Sequence, residues 1–293
     1  LLQTDRESEE AYRVLMEVYY LRGDHAAALS AWDRCRDMLR QLYGVPPSPA
    51  TQQLGQTLLA ATQAAQATQQ AWAPTPHGAP QLPATVLRPP RLVGRQAALQ
   101  ALAEGWRAGR VPWVAGEAGV GKSRLLADWQ ATLGTAGAGP ACAAAAARPG
   151  DAVLPYASLS RLLLSATDRF APRLDSAHAR QAARLLPRLA ALAGLSVEPV
   201  RTEFERTQAL LALARLLADC RDAGCAAFVL DDLQFADPAS LAALRVLADG
   251  GEDSDSALRF AFGVRADEAG PEVTALEAAL RAGHGLAPVV LST

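Results

Sequence analysis

Apolar residues recur at three- and four-residue spacing from Glu7 to Tyr43, with Tyr12, Leu15, Met16 and Tyr19 in a first run and Ala28, Leu29, Trp32 and Leu39 in a second. Gly23 and Asp24 fall between the runs, so the pattern predicts a helical hairpin. One hairpin cannot bury its own apolar face, so earlier repeats are expected to have been lost at the N-terminus. LYGVPPSPATQQL then gives a proline-rich turn and a third helix through a Gln/Ala-rich stretch to about Trp72. Residues 73–90, APTPHGAPQLPATVLRPP, hold six prolines in 18 positions, too many for helix or central strand, and predict a semi-extended linker. Near Arg91 the pattern changes: VPWVAGEAGVGKSRLLADW reads as a short apolar strand, a glycine-rich turn, and a helix with Leu125, Leu126 and Trp129 facing inward. CAAFVLDDLQFAD and ALRFAFGVRADE each read as a buried strand ending in a polar group, and APVVLST as another buried strand. The expected fold is therefore α/β over 91–293, preceded by an all-α segment over 1–72.

Composition narrows the partners. Half of the residues are hydrophobic and 20% charged, and a net charge of −2 with a pI near 6.1 leaves no footprint for nucleic acid or an anionic membrane. Residues 1–72 hold eight acidic and six basic side chains, so no basic arm lies there. No window approaches the roughly 18 apolar residues of a membrane span, and LLQTDRESEE has no signal pattern, which gives a cytoplasmic location by default. Cys35, Cys142, Cys220 and Cys225 form no CxxC pair and the four histidines are scattered, so the cysteines are expected as small core residues rather than zinc ligands. The chain begins with leucine and stops at a strand, the pattern expected of a piece of a longer protein.

The chain has no isoleucine or asparagine, and alanine and arginine fill in for such residues; Lys122 is the one lysine among 28 Lys+Arg. A broad planar guanidinium does not replace a compact ammonium inside a narrow loop. The spacing GxxxxGK[ST] at Gly116, Gly121, Lys122 and Ser123 is that of a P-loop, whose backbone N–H groups and helix N-terminus cradle phosphate. Lys122 would bridge the β- and γ-phosphates and Ser123 would ligate Mg²⁺. The candidate nucleotide-binding residues are Gly116, Glu117, Ala118, Gly119, Val120, Gly121, Lys122, Ser123 and Arg124; the alternative is a chance glycine turn capping a helix. Asp231 and Asp232 end the run Ala227 to Leu230, where ligands of open α/β sheets sit, so Asp231 would hold the metal and Asp232 would orient or deprotonate water. Taken alone, such an acidic pair also caps helices and turns. Arg265 ends a further apolar run and would sense the γ-phosphate, unless it is an exposed partner of Asp267 or Glu268. Arg95, in RLVGR, would lie near the adenine or else cap the next helix. Arg180, Arg184 and Arg188 form a stripe opposite Leu185, Leu189 and Leu192, expected as a solvated helix face rather than a DNA contact.

Tyr19, Gly23, Ala28 and Trp32 match a tetratricopeptide repeat, and the hairpin with its proline turn resembles the C-terminal part of the bacterial transcriptional activator domain. That domain follows a winged-helix DNA-binding domain in the Streptomyces antibiotic regulatory protein family. RLVGR, GEAGVGKS, LPYASLSRLL, FVLDDLQFAD and FGVRADE resemble the nucleotide-binding domain of signal-transduction ATPases with numerous domains. The resemblance implies a P-loop NTPase of AAA type, a parallel sheet flanked by helices with the sensor strand between the P-loop and metal-binding strands, binding ATP and Mg²⁺ as a switch. Many related ATPases carry glutamate where this chain has Asp232, one methylene shorter, and the chain stops before the family's helical lid. Slow hydrolysis is the expectation. DNA contact is then expected only through a domain absent from this chain, with RNA polymerase contact or self-association through the helical segment. The alternatives are a signalling ATPase whose helical repeats bind a protein partner without DNA, and a truncated product without independent activity.

Overall fold

The computed structural model describes residues 8–71, 94–134, 141–170, 177–186, 197–198, 200–249 and 258–292. Helix α1 (Glu9–Arg22) ends where Gly23 takes a left-handed φ of 83°, and Asp24 opens α2 (His25–Leu42) by accepting from the Ala27 N–H at 2.9 Å. Helix α3 (Pro49–Ala71) follows the proline turn and lies directly on Trp32: a Cβ at Gly55 would stand 2.7 Å from that indole. The hairpin's apolar face is covered from within the chain. Met16, Tyr20, Ala28 and Leu58 share one buried cluster with Leu154 and Ala157. Among the described residues, cover for this face comes from α3 and residues 154–157. The linker expected over 73–90 lies outside the described residues.

Five parallel strands follow: β1 (Val111–Gly116), β2 (Cys142–Ala146), β3 (Ala227–Asp231), β4 (Phe260–Val264) and β5 (Leu286–Leu291), in the order β2-β3-β4-β1-β5. Helices α4 (Gln96–Arg107) and α5 (Lys122–Leu133) cover one face, packing Leu102, Trp106, Leu125, Leu126 and Trp129 on Val114, Val229 and Val289. The other face is covered by α6 (Ala157–Phe170), α7 (Ala177–Leu185), α8 (Glu203–Asp222), α9 (Pro238–Asp249) and α10 (Pro271–Gly283), over Trp113, Phe228, Phe260 and Phe262. Strands β1, β3 and β4 are buried along their whole length, as apolar runs in a two-sided sheet require. The strand read from APVVLST differs. Among the described residues β5 is an edge strand, and Pro288 and Val290 are exposed, Val290 by 76%, on the sheet face opposite the one where Val289 and Leu291 are packed.

All four cysteines are buried and free, as core residues should be. Arg184 departs from the solvated stripe: it pairs with Glu205 at 2.5 Å and donates to the Glu198 carbonyl. Arg188, Leu189 and Leu192 lie outside the described residues. Among the described residues no helix is long and apolar enough to cross a membrane.

Candidate nucleotide-binding site

Strand β1 delivers Gly116 against β5, where a Cβ would come within 2.6 Å of the Leu291 carbonyl; only glycine fits that approach. The chain then turns through exposed Glu117, Ala118 and Gly119 and half-buried Val120 to Gly121, whose left-handed φ of 100° starts α5. A Cβ on Gly119 or Gly121 would meet open space, so the backbone there presents itself bare to one side. The first helical bond is Leu125 N–H to Gly121 O, which leaves the N–H groups of the turn outside the helix ladder. Lys122 is 5% exposed, and its Nζ donates to the carbonyls of Gly116 at 3.0 Å and Glu117 at 2.7 Å, so the ammonium is held inside the loop. Arg124 turns back along α5 to Asp128 at 2.9 Å.

The second half of the site sits on β3 and β4. Asp231 is 9% exposed, bonds to Ser123, and accepts the Asp232 N–H at 2.8 Å. Burial pushes its pKa up and the neighbouring Asp232 charge adds to this, partly offset by the Ser123 bond. Its carboxylate fits only because β4 carries Gly263, where a Cβ would stand 2.0 Å from Asp231 Oδ1. Asp232 adopts a left-handed φ of 55° and accepts from Gln234 Nε2 at 2.8 Å, while Gln234 Oε1 accepts the Arg265 N–H at 3.0 Å. Arg265 donates to Glu268 at 2.9 Å and lies over the Phe235 ring, with its Nε 3.8 Å from Asp232 Oδ1. The Glu268 pairing is the alternative that the sequence left open, and Asp267 takes no part in it. Arg95 stands at the N-cap position of α4 without capping it; its guanidinium donates to the Ser292 carbonyl at 2.6 Å, just beyond β5.

A compact cation in a glycine turn, a hydroxyl bonded to a buried carboxylate, and β4 lying between the two strands that carry them form one arrangement at the C-terminal ends of parallel strands. A family model described as the AAA ATPase domain matches residues 91–260, and a second, the bacterial transcriptional activator domain, matches residues 1–59. The chain belongs to the AAA ATPase domain family. Its two matches give the order of an ATPase-linked, transcriptional-activator-like regulator. A comparison with curated proteins finds no match. Nucleotide binding, usually with Mg²⁺, is implied by the AAA domain, and the residues fit it: the bare turn suits phosphate oxygens, and the Ser123–Asp231 oxygen pair suits a hard cation.

Two residues of this AAA site escaped the sequence. Gly263 had a usable signal, since glycine inside a strand marks a close approach. Gln234 lay within the quoted FVLDDLQFAD, but its bridging role depends on the left-handed turn at Asp232.

Proposed function

We propose that this AAA domain binds ATP with Mg²⁺ as a regulatory switch and hydrolyses it slowly, within a transcriptional regulator of the Streptomyces antibiotic regulatory protein type. The observation that carries the reading is the meeting of Lys122, Ser123 and Asp231 at one edge of the sheet, in a chain that opens with an activator-type segment. The Gly116–Ser123 turn and Lys122 would hold the β- and γ-phosphates, Ser123 and Asp231 the Mg²⁺, and Arg95 the adenine side. Bound Mg²⁺ supplies neutralisation of phosphate charge. Asp232 would orient the attacking water or take its proton on Oδ2, since Oδ1 is engaged by Gln234. Arg265 would read the γ-phosphate by exchanging its Glu268 partner for it. An aspartate tied to Gln234 and standing beside Arg265 favours slow turnover; a rate of about 1–100 s⁻¹, usual for kinases, would contradict this part.

DNA contact is assigned to a region outside these 293 residues, because residues 1–72 are acidic on balance. The deciding experiment uses the full gene product with ATP or ADP, beside its Lys122→Ala variant, and measures retention on promoter DNA. Nucleotide-dependent, sequence-dependent retention is expected. No such retention under any nucleotide would sink the regulator reading, and a nucleotide-dependent protein partner would then favour a signalling ATPase.

A further inference from the structure

A cavity of about 650 Å³ opens along the seam where α1 meets the AAA domain, and no P-loop residue lines it. Its walls include Arg13 and Val14 of α1, Tyr156 before α6, Leu185 at the end of α7, and Val200 and Arg206 around the start of α8. That size at a domain boundary is usual for small-molecule sites. The arginines carry the chemical argument. Side chains of Arg13 and Arg206 are 33% and 34% exposed; their partners Glu10 and Glu203, which with Glu17 also line the cavity, stand 78% and 88% exposed across long ion pairs of 3.5 and 3.6 Å. Exposed pairs of this kind hold weakly, so each guanidinium can take a ligand anion in place of its glutamate. Arg184, by contrast, is committed to Glu205.

The wall is also rigidly held. Tyr156 has a left-handed φ of 62°, a costly conformation for a tyrosine, and its N–H donates to buried Asp237 at 2.7 Å while its phenol bonds Arg206. Asp237 also accepts from the Ser158 and Ser240 N–H groups, which locks the turn onto α6 and α9. Buried Leu185 with half-buried Val14 and Val200 gives the cavity an apolar side.

We propose that this seam cavity binds a small organic anion whose acidic group pairs with Arg13 and Arg206 and whose apolar body lies on Val14, Leu185 and Val200. The site is separate from the P-loop and stands whether or not the nucleotide reading does. With α1 as one wall, an occupant touches both the activator segment and the AAA domain, and binding adds to their docking.

The test titrates the 293-residue chain with anilinonaphthalene sulfonate, an anion with an apolar body, and with its uncharged analogue phenylnaphthylamine. Saturable one-site fluorescence is expected. An Arg13→Gln/Arg206→Gln variant should raise the sulfonate Kd at least about tenfold, the effect of losing one charge-assisted contact, and leave the uncharged analogue unchanged. Val14→Trp should abolish both by filling the cavity, and Arg13→Lys/Arg206→Lys should restore part of the sulfonate affinity. Absence of saturable binding, an affinity indifferent to the double substitution, or displacement of the sulfonate by ADP would overturn the proposal.

Discussion

Replacing Asp151 by alanine should destabilise the protein more than any single change at the surface of the seam. Asp151 is 0% exposed and accepts from Tyr20 Oη at 3.0 Å, the Arg148 N–H at 3.0 Å, Ser158 Oγ at 2.8 Å, and both terminal nitrogens of Arg161 at 2.8 and 2.9 Å. Burial lowers the pKa of Arg148, and the nearby Arg161 charge lowers it further. Burial works against the Arg161 charge as well, but the bonds and charge of Asp151 outweigh it and push its pKa up. Asp151 is thus the counter-charge for two guanidiniums. A guanidinium cannot shed its proton, so Asp151→Ala leaves Arg161, 8% exposed, as an uncompensated buried cation, at a cost of about 3–5 kcal/mol. At about 2–4 °C per kcal/mol for a chain of this size, Tm should fall by roughly 6–20 °C. Tyr20→Phe removes a single donor and leaves Asp151 its other four bonds, so about 1 kcal/mol is expected. Urea unfolding followed by circular dichroism measures both. A loss under about 1 kcal/mol for Asp151→Ala, or equal losses for the two variants, would refute the reasoning.

Three further outcomes follow from the site and the core. Gly263→Ala places a methyl within 2.0 Å of Asp231 Oδ1, so it should weaken Mg²⁺-dependent nucleotide binding at least about tenfold and cost about 1–3 kcal/mol of stability, by titration and melting. Burial raises the folded pKa of the Asp231 carboxyl above that of an ordinary aspartate, so the native state binds the extra proton. Stability contributed by this group is therefore lost as pH rises from 3.8 through the folded pKa, and at pH 7 Asp231→Asn should raise Tm without added Mg²⁺ while removing any Tm gain from Mg²⁺ and nucleotide. Burial pushes the thiols up, to about 11 for Cys35 and about 12 for Cys142 and Cys220, so Ellman's reagent at pH 8 should count no reactive thiol until the chain unfolds.

What was legible in the sequence was local. The glycine turn that encloses Lys122 could be read because the glycines, the ammonium and the hydroxyl fall within eight consecutive positions, Gly116 to Ser123, and the Asp231–Asp232 pair because it ends an apolar run. The place of β4 between β1 and β3 came with the family resemblance, and the sheet has it. The seam could not be read. Tyr20 and Asp151 stand 131 positions apart, and Asp237 reaches Tyr156 across 81, with nothing in either stretch to announce the pairing. The distant part of the hairpin's cover could not be read for the same reason, since periodicity shows that a face needs burial but not which distant residues bury it. Arg184 looked like a solvated charge on helical spacing alone, yet α8 brings Glu205 to it.

Whether Lys122 and its turn hold a nucleotide is decided by isothermal titration of the 293-residue chain with ATP and Mg²⁺, beside folded Lys122→Ala. One saturable site is expected in the wild type, with affinity weakened at least about 100-fold in the variant, a loss of about 2.7 kcal/mol of charged contact. Equal affinity in the two proteins, or no saturable binding by a wild-type chain that melts cooperatively, would contradict it.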